Sequence, residues 1–390
     1  MYNEEQKSQL NDFLKNITAE LDVPASKYEE AKNRYESVGE WLLREESTLK
    51  DYSPDIYPQG SFRLGTVVKP IDKDDEYDID LVCELDTSKE ENTQHQLKDK
   101  VGVEIKSYAK ANNMNKSPEN KKRCWTLDYA NEFHMDILPA IPDSSYFNLL
   151  LENRQLSANW TDTAIAITDK IHKNYDRLNN DWPSSNPKGF AEWFKERMKV
   201  VFAKRKIVLA KSLKADVEDV PDYKVKTPLQ RAVQLLKRHR DIYFDGKDHK
   251  PISIIITTLA GHAYNNEEDL YSALSSIVNN ISNVNTFISN DRYEILNPVN
   301  PAENFADKWN EDENLPRAFQ EWINSVRIDF GIFIQKNTVM ELQDSLKPVF
   351  GATLIEKVGS KLQPQAVNVI TEKKYPKVKI KNPDKPWSVL

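Results

Sequence analysis

The spacing of apolar residues divides the chain into a helical beginning, a strand-rich middle and a helical end. Apolar side chains recur at helical spacing over residues 4–22, which Pro24 ends, and again over residues 28–42. The same spacing returns over residues 93–113 and 315–342. Shorter alternating or β-branched runs predict four strands, at residues 61–68, 77–85, 123–130 and 133–138. The pattern predicts an α+β fold, with a mixed sheet that the two N-terminal helices brace.

The second half of the chain opens with a strong helix signal near Lys226. Residues 227–230 (TPLQ) combine a capping box with proline at the first helical position. Residues 252–259 fit a strand or a helix by periodicity alone, and Pro251 before them also suits the start of a helix. The sequence thus predicts three parts, namely a core with its N-terminal helices at 1–215, a helical domain at 226–345 and a C-terminal extension at 346–390.

One of the predicted strands carries two carboxylates on the same face. Strand side chains alternate, so Asp78 and Asp80 in residues 76–82 (EYDIDLV) project together. A third aspartate, Asp136, stands in the apolar run 133–138 (FHMDIL), where a cation is the simplest partner for an otherwise costly charge. Three such carboxylates can hold two Mg²⁺ ions about 4 Å apart. Two ions at this spacing can catalyse an in-line displacement at a phosphorus atom. The class that this pattern favours is a nucleotidyltransferase.

A glycine-containing loop precedes the first of these strands. Residues 59–66 (QGSFRLGT) hold two of the ten glycines in the chain, Gly60 and Gly65. Backbone amides that approach closely at glycine, together with the Ser61 hydroxyl, can hold a triphosphate tail. The spacing mimics a P-loop, but Thr66 stands where that motif requires lysine. The phosphates would therefore depend on metal ions.

Each motif is weak when it is taken alone. A lone D-x-D is more often a solvated strand or turn than a metal site, and a lone Gly-Ser says less. Their order is more informative, because Asp78 follows Ser61 by 17 residues and the third aspartate comes later in another apolar strand. The order, rather than any single motif, supports a catalytic site.

Composition limits the other function classes. The chain has 390 residues, 39% of them apolar, which is ample for two lobes that share a cleft. The formal net charge of −7 argues against activation by a long nucleic-acid duplex, because proteins that grip duplexes carry a strong basic surface. No segment approaches a membrane span and the N-terminus lacks a signal pattern, so we expect a cytoplasmic protein with no membrane partner.

At these residues the chain resembles the DNA polymerase β-like nucleotidyltransferases, and more narrowly the bacterial cGAS/DncV-like nucleotidyltransferases (CD-NTases) of antiphage signalling. The Gly-Ser and Asp motifs specify the superfamily, whereas the later helical segments and their order indicate the bacterial group. The matching segments are residues 57–66 (YPQGSFRLGT), 77–82 (YDIDLV), 134–140 (HMDILPA), 186–190 (NPKGF) and 227–238 (TPLQRAVQLLKR). The resemblance implies a polymerase β-like core and a C-terminal helical domain, with the active-site cleft between them.

The resemblance also implies an activity and a set of site residues. The enzyme would join nucleoside triphosphates, with ATP or GTP expected, into a cyclic di- or trinucleotide messenger and release pyrophosphate. Asp78, Asp80 and Asp136 would be the catalytic residues and would hold two Mg²⁺ ions, for which Mn²⁺ can substitute. The implied nucleotide-binding residues are Gln59, Gly60, Ser61, Arg63, Lys237 and Ser253. Without the resemblance, Lys237 and Ser253 would be read as surface residues.

Two alternatives and one partner hypothesis complete the sequence-based interpretation. The nearer alternative is a nucleotidyltransferase that makes linear oligonucleotides or modifies a tRNA or protein acceptor. The further one is a catalytically silent binding module, which the complete set of three aspartates opposes. Partner proteins from an antiphage operon are expected, including a ubiquitin-like conjugation system that acts on the C-terminus, although Leu390 is larger than the residue such chemistry favours.

Overall fold

The structure is a computed structural model. It describes residues 4–71, 76–129, 133–155, 158–220, 222–281, 283–333 and 339–362.

Helices alternate with strands in the first half of the described chain and dominate the second half. The helices are α1 Glu4–Leu21, α2 Ala25–Leu43, α3 Gly60–Leu64, α4 Gln94–Ala111, α5 Ser144–Asn153, α6 Pro187–Leu213, α7 Pro228–Tyr243, α8 Ser253–Ala263, α9 Leu270–Asn280, α10 Asn314–Phe333, α11 Val339–Phe350 and α12 Ala352–Leu362. The strands are β1 Asp55–Pro58, β2 Tyr77–Glu84, β3 Glu119–Asn120, β4 Trp125–Tyr129, β5 Phe133–Pro142, β6 Ile165–Ile167, β7 Ser184–Ser185, β8 Ile288–Ser289, β9 Arg292–Tyr293, β10 Leu296–Asn297 and β11 Asn300–Asn304.

The main sheet is mixed, as the sequence predicts. Its order is β1-β2-β5-β4-β3, and β6 extends it from the far end of β5 to β7. The central pair, β2 and β5, is parallel, whereas the other pairings are antiparallel. The predicted α+β class is confirmed, and the two strands that carry the aspartates are neighbours at the centre of the sheet.

Several predicted boundaries differ from the structure. The strand expected at 61–68 is wrong, because residues 60–64 form the short helix α3. This turn lies between Gly60 and Gly65, whose φ angles of 62° and 66° interrupt an extended chain. The helix expected at 315–342 is two helices, α10 and α11, and residues 334–338 lie outside the described residues. The ambiguous run 252–259 is helical.

Two large hydrophobic clusters organise the molecule. One lies behind the sheet, where Ile79 and Leu81 of β2 pack with side chains of α2 and α4. The other joins the helices of the second half, and it includes Phe13 and Ile17 of α1. Only α2 therefore braces the sheet as expected, whereas α1 packs with the C-terminal helices. Because strand side chains alternate, this packing leaves the opposite face of β2 turned away from the α2 and α4 layer.

No helix among the described residues combines the length and the apolar character that a membrane crossing requires.

Candidate active site

The register of the central strands brings the predicted aspartates together. Asp80 on β2 stands directly opposite Asp136 on β5, and Asp78 stands opposite His134. Residues 78 and 80 share one face of β2, and residues 134 and 136 share the same face of β5. The parallel pairing of two strands that are 56 residues apart in sequence thus places all three carboxylates on one face of the sheet.

The carboxylates repel one another strongly. Burial, and next the charges of Asp136 and Asp78, raise the pKa of Asp80 to about 7. Withdrawal from bulk water and the Asp136 charge also raise the pKa of Asp78, although its side chain remains 81% exposed. Asp136 accepts a hydrogen bond from Thr126 Oγ1, and Lys121 Nζ lies 3.7 Å from its Oδ1 atom. Carboxylates that lie this close together are favourable ligands for a cation.

The residues present fit a hard divalent cation. Carboxylate oxygens are the ligands that Mg²⁺ and Mn²⁺ prefer, and mutual repulsion that raises pKa values is relieved when a cation binds. A second group of potential ligands, Glu76, Asp128 and His134, lies on the same face with its ligand atoms within 4.8 Å of one another. Lys116 pairs with Asp128 and offsets part of that charge.

The glycine-containing loop sits directly on Asp80. The Gln59 amide donates to the Asp80 carbonyl oxygen at 2.8 Å, which holds the start of α3 against β2. A Cβ atom on Gly60 would lie only 2.3 Å from Asp80 Oδ2, so only glycine lets the backbone approach the carboxylate so closely. Ser61 follows and is partly exposed, and Arg63 lies over the Tyr57 ring. The loop and the carboxylates therefore form one unit.

Side chains of the second half of the chain donate to carbonyl oxygens at the end of this loop and just after it. We call these side chains, Lys226, Gln230, Gln234, Lys237 and Arg238, the lobe strap. In order along the loop, Gln230 donates to Leu64 at 3.0 Å, Lys226 to Gly65 at 3.1 Å, Lys237 to Thr66 at 3.1 Å, Gln234 to Val67 at 2.7 Å, and Arg238 to Lys69. The capping box at Thr227 is present and begins α7 as predicted. The lobe strap therefore fixes α7 against the segment that follows the catalytic loop.

Lys237 brings a positive charge to the position where the loop lacks one. Its ammonium group donates to the carbonyl and hydroxyl oxygens of Thr66, the residue that replaces the P-loop lysine. Burial, and next the Arg240 charge, lower the pKa of Lys237 to about 8, whereas Asp241 and Asp80 oppose this shift. The group is thus electrostatically coupled to Asp80 across the two halves of the molecule.

Ser253 is held by a residue that the sequence did not single out. It is the first residue of α8, and its Oγ atom accepts a hydrogen bond of 2.9 Å from Arg240 Nη1. Arg240 also donates to the Pro251 carbonyl oxygen at 3.0 Å. The Ser253 hydroxyl retains a proton that it can donate, because a hydroxyl accepts and donates at the same time. Arg240 therefore places two candidate phosphate contacts, its own charge and Ser253, next to Lys237 on α7.

A cavity of about 280 Å³ lies between the two halves of the molecule at this site. One side is formed by the predicted residues Gln59, Gly60, Arg63 and Asp80. The second half of the chain contributes Ile254, Asn297, Glu303 and Phe305, for which the motifs predict no role. The signal in the sequence for Asn297 and Glu303 is the unusual density of proline and asparagine over residues 297–304.

Comparison with known proteins supports the same interpretation. Residues 54–139 match the family model described as the nucleotidyltransferase domain of DncV-like cyclic GMP-AMP synthases. A c-di-GMP synthase from Roseivirga ehrenbergii is 29% identical over 347 residues, which cover 88% of this chain and 85% of that protein. The cyclic dinucleotide synthase CdnG from Bradyrhizobium diazoefficiens is 24% identical, with 89% and 81% of the two chains covered.

Solved structures show the same fold. The structure of Bradyrhizobium diazoefficiens CdnG in complex with GTP aligns with a TM-score of 0.68 at 22% identity, covering 91% of this chain and all of that one. A mutant of the Vibrio cholerae di-nucleotide cyclase DncV in complex with ATP, GTP and 5MTHFGLU2 aligns with a TM-score of 0.54 at 16% identity, covering 91% of this chain and 93% of that one. The chain is a nucleotidyltransferase with a polymerase β-like fold. Within that class it is similar to the DncV-like nucleotidyltransferases, whose family model matches residues 54–139, and this agrees with the resemblance drawn from its motifs.

Proposed function

We propose that this protein joins nucleoside triphosphates into a cyclic oligonucleotide, a cyclic di- or trinucleotide, and releases pyrophosphate. The observation that carries the proposal is the register of Asp80 and Asp136, with Gly60 fitted against Asp80. The relatives that match most of the chain bear the names of cyclic dinucleotide synthases, which supports a cyclic product. The role that the family implies for such a messenger is antiphage defence.

Asp78, Asp80 and Asp136 would hold the metal, for which we propose two Mg²⁺ ions or Mn²⁺ in their place. When bound, these ions lower the pKa of an attacking ribose hydroxyl and neutralise charge on the phosphates. Asp80 lies against the loop at Gly60, so its side chain is on the phosphate side, whereas Asp136 is one strand further from the loop and would face the attacking hydroxyl. Fixed carboxylates of this kind are already oriented before the reaction begins.

Lys237, Ser253 and Ser61 would hold the triphosphate of the donor nucleotide. With a pKa of about 8, Lys237 is mostly protonated at pH 7 and loses its charge above pH 8. Its bonds to Thr66 set the ammonium group at the end of the loop that begins with Gly60 and Ser61. The departing pyrophosphate would thus meet fixed positive charge from the second half of the molecule.

Replacing Lys237 with methionine is expected to lower kcat/KM for nucleoside triphosphates about 10²-fold, as removal of a preorganised charged donor does in other enzymes. The matched control is Lys226→Met, because Lys226 is also buried and also donates to a loop carbonyl, but its main charged neighbours are Asp22 and Arg231. Steady-state kinetics on both variants measure the effect. Equal losses in the two variants would mean that Lys237 acts only through the lobe strap.

The remaining expectations belong to the same proposal. We retain the division at residues 1–215, 226–345 and 346–390, a cytoplasmic location, and ATP or GTP as substrates. Partner proteins of an antiphage operon, with a ubiquitin-like system acting on the C-terminus, follow from the family, and the segment concerned lies outside the described residues. The second candidate function is synthesis of linear oligonucleotides or transfer to a tRNA or protein, which the same aspartates could catalyse.

The test is to incubate the purified protein with all four nucleoside triphosphates and Mg²⁺ or Mn²⁺, add phosphatase, and identify the products by mass spectrometry. We expect a phosphatase-resistant cyclic species that the double variant Asp78→Asn, Asp80→Asn does not form. Products that phosphatase degrades, or nucleotides attached to a macromolecule, would favour the second candidate. No incorporation with either metal would contradict the synthesis of both cyclic and linear oligonucleotides.

A further inference from the structure

The cavity beside Asp80 has a wall suited to a nucleotide base. The second half of the chain lines this cavity with Ile254, Phe305 and the polar pair of Asn297 and Glu303. A flat apolar surface with a few fixed polar groups is how proteins select a heterocycle. Because Gly60 and Asp80 line the same cavity, a nucleotide whose phosphates lie at the loop would direct its base toward this wall.

Glu303 is held as a hydrogen-bond acceptor. Asn297 Nδ2 donates to Glu303 Oε2 at 2.8 Å. The orientation of that amide is set independently, because the Val299 N–H donates to Asn297 Oδ1 at 3.0 Å, and this leaves the NH₂ group for Glu303. Asn297 is only 4% exposed, so its amide is not free to turn. The wall therefore presents a carboxyl group to which Asn297 is one fixed donor.

The same carboxylate keeps unused acceptor capacity. A carboxylate has two oxygens and about four acceptor sites, of which Asn297 uses one. The pKa of Glu303 lies above its ordinary value, because burial and the Asp307 charge raise it more than the bond from Asn297 and the Arg123 charge lower it. An acceptor with unfilled hydrogen-bond sites binds a ligand that donates to those sites. It disfavours a ligand that lacks the donors, because the acceptor would then stay unsatisfied.

Phe305 provides an aromatic surface next to this carboxylate. It lies two residues after Glu303, and both line the cavity. Phe190 packs against it edge-on, with the ring centroids 6.2 Å apart and the planes at 76°, which fixes the Phe305 ring. An aromatic face accepts any base, so the choice among bases falls to the polar pair.

We propose that Glu303 selects guanine by accepting the N1–H and the 2-amino group of the base, with Phe305 beside the ring. Guanine is the common base that offers two adjacent N–H donors on its Watson–Crick edge. Adenine has a lone pair at N1, and uracil has a carbonyl oxygen on each side of its N3–H. Either base would therefore bring an acceptor atom close to a carboxylate oxygen, and the two would repel each other. This inference rests on the proposed function and names the substrate class, a guanosine triphosphate.

The test compares GTP, ITP and ATP in the full-length protein and in Glu303→Gln. ITP lacks only the 2-amino group. We expect the wild-type protein to prefer GTP over ITP about tenfold and over ATP by more. In Glu303→Gln, kcat/KM for GTP should fall about 10²-fold, mainly through KM, and the GTP-to-ATP preference should fall at least about tenfold, because glutamine can accept from the adenine amino group and donate to N1.

The matched control is Glu311→Gln, which removes an exposed carboxylate of the same half of the chain, and it should keep the wild-type preference. Asn297→Asp tests the pair in a second way, because it replaces the donor to Glu303 with a like charge, and it should also weaken the guanine preference. A thermal melt shows that each variant is folded.

Equal losses for GTP and ATP in Glu303→Gln, or a wild-type protein that uses ATP as well as GTP, would overturn the inference while leaving the proposed function intact. If the protein joins no nucleotides, the proposed function fails separately. Equilibrium binding of the α,β-methylene analogues of GTP and ATP then decides the inference, because these analogues report base preference without turnover. A guanine preference that Glu303→Gln removes supports it, and equal binding of the two overturns it.

Discussion

Replacing Asp80 with asparagine is expected to lower nucleotide transfer at least about 10³-fold and to make the metal-free protein more stable at pH 8. Activity falls because one of the three carboxylates that we propose as metal ligands is lost. Stability rises because burial and the charges of Asp136 and Asp78 make ionised Asp80 costly in the folded state. A residue that is needed only for the fold would change stability in the opposite direction.

The raised pKa of Asp80 determines whether the free energy of unfolding rises or falls with pH. The pKa of Asp80 is about 7 in the folded protein against an ordinary value of 3.8. Between these values the folded state keeps a proton that the unfolded state has released, so the free energy of unfolding falls as the pH rises through this window. Three pKa units correspond to about 4 kcal/mol, and partial hydration of the site reduces this to an effect of about 2–4 kcal/mol. Asp80→Asn should flatten that slope.

Thermal and urea unfolding between pH 5 and pH 8, without metal and then with Mg²⁺, measure both effects. Mg²⁺ should stabilise the wild-type protein, by about 2.7 kcal/mol at a concentration of 100 times Kd, and should affect the variant much less. The control is Asp86→Asn, an exposed aspartate just beyond the end of β2. Retained activity in Asp80→Asn, or an unchanged pH slope, would show that the trio is not the metal site.

Replacing Gly60 with alanine is expected to reduce nucleotide transfer about 10²-fold to 10³-fold. The new Cβ atom would lie 2.3 Å from Asp80 Oδ2, so either the loop or the carboxylate must move. A displacement of about 1 Å at a reacting group is enough for a loss of this size. The positive φ angle of 62° adds a backbone cost of about 1 kcal/mol to the loss of stability.

The variant Gly246→Ala separates the effect of the contact with Asp80 from the effect of backbone strain. Gly246 has nearly the same φ angle, 66°, and a Cβ atom there would meet nothing within 4 Å. It should therefore lose about the same stability through backbone strain while keeping its activity. Activity assays at a temperature where both variants are fully folded make the comparison. Similar activities in the two variants would rule out the contact between Gly60 and Asp80 as the cause.

The strands that carry the aspartates could be predicted from the sequence because each has a local signature. Alternation places Asp78 and Asp80 on one face, and an apolar run around Asp136 marks a second strand. The start of α7 was equally clear, because a capping box with proline acts within four residues. The assignment of catalytic roles to these residues stays a prediction that the variants above test.

Other features depend on contacts between distant parts of the chain. The loop at 61–68 alternates like a strand, but two residues with positive φ make it a turn that fits against Asp80. Asn297 and Glu303 reach the cavity only because the two halves of the molecule pack together, and no periodic pattern records such packing. The resemblance implies that Lys237 binds the nucleotide, but its bonds to the carbonyl and hydroxyl oxygens of Thr66 join two distant segments and cannot be predicted from either segment alone.

The lobe strap binds carbonyl oxygens, which every amino acid carries. Side chains at positions 67 and 69 are therefore free to change during evolution without disturbing the alignment of the two halves. The length of this segment is not free, because one inserted or deleted residue would shift the following carbonyl groups by about 3.8 Å and separate several of them from their donors at once. Homologous chains should thus vary in residue type here but rarely in residue number.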